Sequence, residues 1–240
     1  MENHSGYNAK QSKRIQTSLL SAPEKKALNW LAARQPAWVF SDLLTLVGSL
    51  GALMIGLGYA LSGININFLW LSTFGLLVNW YGDSLDGTLA RYRNTQRPTY
   101  GFFVDHMVDC FNEVAMFVGF GLSPLVKFDL ALLVLVCYLL LSIYVYISAH
   151  LKGEFKLTYA KVGPTEFRAL AAIINTVLIY VTPVRNFSME VAAFGGQLVL
   201  SLFDIVAIVL IVVLFAFLVV NFIKDAKQYA QKEPRVRNGR

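Results

Sequence analysis

Long apolar runs recur along this chain, and they constrain its fold more than any other feature. Each run is long enough to cross about 30 Å of hydrocarbon as a helix. The runs cover residues 38–61, 64–89, 102–122, 130–150, 167–184 and 198–223. With 56% hydrophobic residues and a mean hydropathy of +0.53, the composition excludes an ordinary soluble domain. The pattern predicts an all-α integral membrane protein with six transmembrane helices.

Basic residues are distributed unevenly among the segments that connect these runs. Of the 21 Lys and Arg residues, only Lys127 and Arg185 fall on one side of the predicted membrane. Because cytoplasmic loops are rich in Lys and Arg, the asymmetry predicts that both termini are cytoplasmic, at the inner membrane in a bacterial source. This bias accounts for the net charge of +6, so we expect the lipid bilayer, and no nucleic acid, as a partner.

On composition the chain has four parts. They are a polar, poorly ordered head (residues 1–20), a short amino-terminal interfacial amphipathic helix (21–35), a membrane domain (36–224) and a basic cytoplasmic tail (225–240). In the interfacial segment, Ser21 and Glu24 have the spacing of a capping box. Leu28, Leu31 and Ala32 share one face, as in a helix that lies in the headgroup layer. The alternative for this segment is a solvated linker.

Four carboxylates interrupt the facing ends of the second and third runs. They lie in the stretch GDSLDGTLARYRNTQRPTYGFFVDHMVD, at Asp83, Asp86, Asp105 and Asp109. A carboxylate in hydrocarbon costs several kcal/mol unless it is paired, hydrated or bound to metal. The first two are three residues apart and the last two are four apart, so each pair shares one helix face. Clustered carboxylates without clustered Cys or His predict a site for Mg²⁺ or Mn²⁺.

The same stretch resembles the signature of the CDP-alcohol phosphotransferase family, D-x-x-D-G-x-x-A-R followed by G-x-x-x-D-x-x-x-D. The matching positions are Asp83, Asp86, Gly87, Ala90, Arg91, Gly101, Asp105 and Asp109. Members of this family are integral membrane enzymes that make phospholipids. The gap between Arg91 and Gly101 is one residue longer than the commonest family spacing. The spacing within each pair of acids therefore matches the family pattern. The turn between the pairs does not, so a pocket for the acceptor alcohol beside that turn could differ from that of the family.

The resemblance implies a role for each matching residue. The ligands of a centre of two Mg²⁺ or Mn²⁺ ions would be Asp83, Asp86, Asp105 and Asp109. The residues that shape the pocket for the CDP-linked donor would be Gly87, Ala90, Gly101 and, on its phosphates, Arg91. Asp109 would also be the general base. His106 follows Asp105 as it does in the choline and ethanolamine branch of the family, and it is an alternative base.

Three further polar residues are candidates for contacts with the donor or acceptor. Asn79 lies one turn before Asp83 on the same helix face, although packing polarity also explains it. Glu166 and Arg168 open the fifth run on the side of the acids. The other explanation for Glu166 is its favourable position at the N-terminus of a helix.

Other polar residues within the runs have no definite role in the sequence. The element Ser41-Asp42-Leu43-Leu44-Thr45 resembles a family element, Pro-Asn-x-x-Thr, in which the first two residues are replaced here. Glu113 continues the face of Asp105 and Asp109, either as a partner of the metal ligands or as a buried protonated acid. Asp204 is an isolated acid in the last run.

The resemblance implies an enzyme that transfers a phosphatidyl or phospho-alcohol group from a CDP-linked donor to an alcohol hydroxyl, with release of CMP. The expected substrates are CDP-diacylglycerol and a small polar alcohol. The alternative is CDP-choline or CDP-ethanolamine with diacylglycerol. A divalent-cation transporter is the alternative from another class, because intramembrane acids also mark ion pathways. A homodimer is also predicted, from the resemblance and from the small residues Gly119 and Gly121.

Overall fold

The structure is a computed structural model that describes residues 20–152, 163–193 and 196–233. A long helix lies at each predicted apolar run, and a 3₁₀ turn (Ile66–Phe68) precedes the third helix. The helices are α1 (Ser21–Ala32), α2 (Ser41–Leu61), α3 (Leu69–Tyr92), α4 (Pro98–Gly121), α5 (Phe128–Lys152), α6 (Pro164–Tyr180), α7 (Thr182–Arg185) and α8 (Leu202–Lys232). Apart from Leu20, the predicted head lies outside the described residues, as does the end of the predicted tail.

Three of the helices, α2, α5 and α8, are long and apolar enough to cross a membrane. The other long helices differ from them in length or polarity. α6 has 17 residues, which span about 26 Å at 1.5 Å per residue. α3 and α4 contain the acids of the motif, which lower their hydropathy. The structure thus agrees with a helical membrane protein, and spans at α3, α4 and α6 stay a prediction.

A two-stranded hairpin precedes α8, so the expectation of an all-α fold is wrong at this point. β1 (Ser188–Ala193) pairs antiparallel with β2 (Gly196–Ser201), and Met189 lies opposite Leu200. The sixth apolar run therefore begins in a strand, and the helix begins at Leu202. Over a few residues, periodicity alone does not distinguish an apolar strand from the start of a buried helix.

The start of α8 explains Asp204, which the sequence left without a role. The Ser201 hydroxyl accepts a hydrogen bond from the Asp204 amide, and the Asp204 carboxylate accepts one from the Ser201 amide. The second carboxylate oxygen accepts a hydrogen bond from the Lys127 amide at 2.7 Å. Asp204 thus completes a capping box with Ser201, the N-cap of α8, and ties the helix to the loop before α5, which accounts for a buried acid there.

α1 packs against the protein rather than presenting its apolar face to lipid. Leu28 and Ala32 are buried in a cluster with Leu44 of α2 and with Leu85 and Leu89 of α3. The predicted capping box is wrong, because Leu20 is the N-cap and no side chain caps the helix. The helix predicted over residues 21–35 ends at Ala32.

Small residues let α2 approach both α3 and α4 closely. A Cβ atom at Gly82 of α3 would collide with the backbone of Gly48 in α2, so only glycine fits there. The same holds for Gly119 of α4 against Gly56 of α2. Gly119 therefore packs within the chain, as does Gly121 against Phe128 and Ala131 of α5. These two glycines give no support to a dimer interface, which corrects that part of the argument for a homodimer.

A tight turn joins α3 to α4 and brings their acidic faces together. Asn94 adopts a left-handed conformation, with φ of 57°, which asparagine tolerates better than most residues. The Thr95 amide then donates to the Ala90 carbonyl, which closes the end of α3. Arg93 donates to backbone carbonyls of the segment between α1 and α2, including those of Gln35 and Pro36. The turn is therefore hydrogen-bonded to the segment that leads into α2.

Candidate metal centre between α3 and α4

Three carboxylates meet where the end of α3 faces the start of α4. Asp83 comes from α3, and Asp105 and Asp109 come from successive turns of α4. Each offers one oxygen, and these atoms all lie within 4.8 Å of one another. All three side chains are partly exposed. Two oxygens bound to one Mg²⁺ lie at most about 4.2 Å apart, because Mg–O bonds are about 2.1 Å long. The three acids therefore fit a single hard cation with only small side-chain movements.

Asp86, the fourth acid of the motif, is not in that group within the described residues. Its side chain is buried and is held by α2, since the Thr45 hydroxyl donates to Asp86 Oδ2 at 2.7 Å. The other carboxylate oxygen accepts from the Gly87 amide. The Ser41 hydroxyl donates to the Asp86 carbonyl at 3.1 Å. Ser41 and Thr45, whose role the sequence left open, thus orient Asp86 from the neighbouring helix.

Arg168 of α6 supplies a positive charge to the acidic group. Its Nη2 donates to Asp83 Oδ2 at 2.5 Å, and its Nε donates to Asn79 Oδ1 at 3.0 Å. Asn79 is buried, and its amide nitrogen donates to the Gly48 carbonyl of α2. Asn79 and Arg168, both candidates from the sequence, are thus brought to the site by packing of α2, α3 and α6.

The predicted donor-pocket residues lie along the end of α3 and the start of α4. Arg91 Nη2 donates to the Thr88 hydroxyl at 3.1 Å. A Cβ atom at Gly87 would lie 3.3 Å from Arg91 Nη1, so glycine leaves room for the guanidinium group. A Cβ atom at Gly101 would meet nothing within 4 Å, so packing within the chain does not require a glycine there. Ala90 is partly exposed beside them.

His106 lies next to the acids but is oriented by its own helix. Its Nδ1 lies 2.7 Å from the Phe102 carbonyl oxygen and 3.8 Å from Asp105 Oδ2. A carbonyl only accepts hydrogen bonds, so Nδ1 carries the proton and Nε2 is the basic nitrogen of the neutral ring. The ring packs between those of Phe102 and Tyr146, with centroid distances of 4.0 Å and 4.7 Å.

At the start of α6, Glu166 accepts hydrogen bonds from backbone amides. Its carboxylate accepts from the amide of Gly163, which is the N-cap, and from the Leu20 amide at the start of α1 at 2.7 Å. These contacts match the helix-terminus explanation for Glu166. Glu113, one turn beyond Asp109, has a buried oxygen without a hydrogen-bond partner among the described residues.

A second ion pair lies at the edge of the site, where α2 and α4 begin. Arg97 Nη2 lies 2.6 Å from Asp42 Oδ2, and the Tyr100 hydroxyl donates to the same oxygen. The guanidinium group of Arg97 also stacks over the Tyr100 ring at 3.9 Å. The hydrogen bond to Asp42 raises the pKa of Arg97 above its ordinary value. Both charged side chains remain accessible to water.

Taken together, three acids converge on one point, a buried fourth acid lies one turn away, and arginines lie nearby. This arrangement can bind a divalent cation and an anionic group at the same place. Comparison with known proteins adds no further constraint on identity. No protein-family model matches the chain, and no curated protein matches it.

Proposed function

We propose that this protein is a membrane-embedded CDP-alcohol phosphotransferase of phospholipid synthesis. It would transfer a phosphatidyl or phospho-alcohol group from a CDP-linked donor to an alcohol hydroxyl and release CMP. The observation that carries the proposal is the group formed by Asp83, Asp105 and Asp109, whose ligand oxygens lie within 4.8 Å of one another. These residues occupy the acid positions of the family signature that the sequence resembles.

The ligand atoms of the proposed metal site indicate which metal it would bind. Carboxylate oxygens from two helices suit Mg²⁺ or Mn²⁺ rather than a softer ion. The resemblance implies two ions, for which Asp86 supplies the additional carboxylate beside the group of three. Bound cations would offset the charge of the donor diphosphate and stabilise the departing CMP. Thr45 fixes the Asp86 carboxylate and Ser41 fixes its backbone carbonyl, so α2 determines where this carboxylate lies.

The chain's own residues then bind the donor and remove the proton. Arg91, which donates to Thr88, and Arg168, which pairs with Asp83, would bind the donor phosphates. The acceptor oxygen forms a bond to the β-phosphorus of the donor, and the bond from that phosphorus to CMP breaks with its electron pair on CMP. The acceptor's proton passes to Asp109. His106 is the second candidate base through Nε2, because Nδ1 is bonded to the Phe102 carbonyl.

The proposal includes a topology with six spans, at α2, α3, α4, α5, α6 and α8. The turn at residues 93–97 then lies on the same side as α1 and as the end of α8, which the distribution of basic residues makes cytoplasmic. The acids on α3 and α4 lie close to that turn, so a soluble nucleotide can reach them from the cytoplasm. The expected assembly is a homodimer, which rests on the resemblance alone.

The decisive experiment is CMP release by the purified full-length protein in nanodiscs. A panel of donors and acceptors, with Mg²⁺, Mn²⁺ or chelator, separates CDP-diacylglycerol with a small polar alcohol from CDP-choline or CDP-ethanolamine with diacylglycerol. The expected result is metal-dependent CMP release with at least one pair. Cation flux into proteoliposomes without CMP release would instead support a transporter and overturn the proposal.

A further inference from the structure

The outward face of α1 is basic and carries an exposed aromatic ring. Lys25 and Lys26 are exposed, as is Arg34, which lies two residues beyond the helix, and Trp30 is 55% exposed. The guanidinium group of Arg34 lies 4.0 Å from the centre of the Trp30 ring. The one acid in this helix, Glu24, is turned towards the protein, where it accepts hydrogen bonds from other helices. The outward face of α1 therefore carries positive charge without a compensating acid from the same helix.

Two more exposed aromatic side chains continue this surface to the first apolar helix. Trp38 is 71% exposed and Phe40 is 57% exposed, directly before α2 begins at Ser41. α2 is long and apolar enough to cross a membrane, so these rings lie at the level where the chain enters the bilayer. Aromatic rings at this level, combined with Lys and Arg, match the headgroup layer of an anionic membrane.

The inward side of α1 is bonded to two helices of the candidate metal centre. Glu24 Oε1 accepts from Trp80 Nε1 of α3 at 2.9 Å and from the Thr165 hydroxyl of α6. The Leu20 amide adds a second bond to α6, through Glu166. Arg168, one turn beyond Thr165, is the residue that pairs with Asp83. Glu24 and Leu20 thus connect α1 to the first turns of α6, the helix that carries Arg168.

We propose that the outward face of α1, continued by Trp38 and Phe40, docks on anionic lipid headgroups of the protein's own membrane. Docking holds α1 in place, and Glu24 and Leu20 pass this restraint to the first turns of α6, which carry Arg168. The site thereby becomes responsive to the charge of the membrane surface. The docking and the coupling of α1 to α6 are inferred from these contacts, and the consequence for turnover rests on the proposed function.

Hydrogen exchange tests the docking without any substrate. The full-length protein is placed in nanodiscs of phosphatidylcholine, or of phosphatidylcholine with phosphatidylglycerol, and amide exchange is followed in α1 and in the first turns of α6. Each basic residue near an anionic surface strengthens association about fivefold. We expect exchange in both segments to slow on the order of tenfold in the anionic discs, and less so at high salt. Equal exchange in the two kinds of disc would overturn the proposal.

Matched variants separate docking from general electrostatics. The triple variant Lys25→Gln, Lys26→Gln, Arg34→Gln should lose the lipid response. The control is the triple variant Lys224→Gln, Lys227→Gln, Lys232→Gln, which removes the same charge from exposed positions at the end of α8. It should respond as the wild type does. A lipid response that survives in the α1 variant, or disappears equally in both, contradicts docking through α1.

Two variants test whether Glu24 couples α1 to α6. Thr165→Val keeps the shape of the side chain and removes its bond to Glu24, and Glu24→Ala removes the bonds to both helices. In each, α1 should still respond to anionic lipid, and the response of α6 should weaken. An unchanged response in α6 would show that Glu24 does not couple the helices. Absence of CMP release together with a normal exchange response would refute the proposed enzyme and leave the docking intact.

Discussion

Arg168 of α6 donates a hydrogen bond to Asp83 of α3 at 2.5 Å, and this ion pair joins two helices that are distant in sequence. The side chains of the pair are 17% and 27% exposed. The pair formed by Arg97 and Asp42 has similar chemistry, but its side chains are 55% and 36% exposed. The two pairs therefore form a matched comparison for the effect of burial.

We predict that Arg168→Gln lowers the thermal midpoint measurably, whereas Arg97→Gln has little effect. Without the Arg168 guanidinium group, Asp83 lies beside two other carboxylates and lacks the cation that offsets its charge. A hydrogen bond to a charged group contributes about 1.5–3 kcal/mol, and partial exposure places Arg168 at the lower end of that range. Thermal melting of both variants in the same detergent measures the difference. Equal shifts would contradict a specific role for the less exposed pair, Arg168 and Asp83.

The motif acids should differ in how strongly they hold metal. Asn substitutions at Asp83, Asp86, Asp105 and Asp109 should each abolish CMP release in folded protein. Mn²⁺ affinity, measured by electron paramagnetic resonance, should fall at least about tenfold when a member of the group of three is changed, since even outer partners of metal ligands contribute 10–100-fold. Asp86→Asn should reduce it less. Wild-type affinity in the variants of Asp83, Asp105 and Asp109 would argue against a shared site.

Thr45→Val should impair the site without unfolding the protein. Valine keeps the shape of threonine but removes the hydroxyl that donates to Asp86. We expect CMP release to fall by roughly 10–100-fold, as for other outer partners of metal ligands. Ser49→Ala is the control, because the Ser49 hydroxyl donates to the Thr45 carbonyl within the same helix. It should be nearly silent, and a similar loss in both variants would exclude a specific effect at Asp86.

The identity of the base can be resolved by a pair of variants. Asp109→Asn should abolish turnover and keep donor binding, because the other motif acids remain. His106→Gln should retain most of the turnover and leave the pH dependence of the rate unchanged. Single-turnover CMP release across a pH series, with donor binding measured separately, distinguishes the two residues. Near-normal turnover by Asp109→Asn would reject Asp109 as the base.

Cysteine labelling tests the six-span topology. In a background with Cys110 and Cys137 replaced by Ala, single cysteines are placed at Lys26, Lys232 or Gln197, which are all exposed positions. A membrane-impermeant maleimide applied to intact cells should label only the cysteine at 197, because the proposed topology places the hairpin on the opposite side from the termini. Labelling at 26 or 232 from outside would invalidate the cytoplasmic assignment.

Local pattern in the sequence was sufficient for the helices and for the internal spacing of the acids. Apolar length located the six long helices, with boundaries that moved by a few residues except at the end of α8, which continues to Lys232, nine residues past the predicted run and into the predicted tail. Spacings of three and four placed each pair of acids on one helix face, since that relation depends only on helix geometry. The turn at Asn94 then brings the two acid-bearing helix ends together, as the spacing predicted. The sequence predicted a group of four acids, of which Asp83, Asp105 and Asp109 come together and Asp86 does not.

Only the tertiary structure decided which helix faces meet. Thr45 reaches Asp86, Arg168 reaches Asp83, and Glu24 bonds to both α3 and α6, although each partner is more than 40 residues away. These pairings follow from close packing of α2 on α3 and of α6 on α3, which helical periodicity does not encode. The hairpin before α8 was missed for a related reason: its strands exist through their pairing with each other, and a single apolar segment does not reveal its partner.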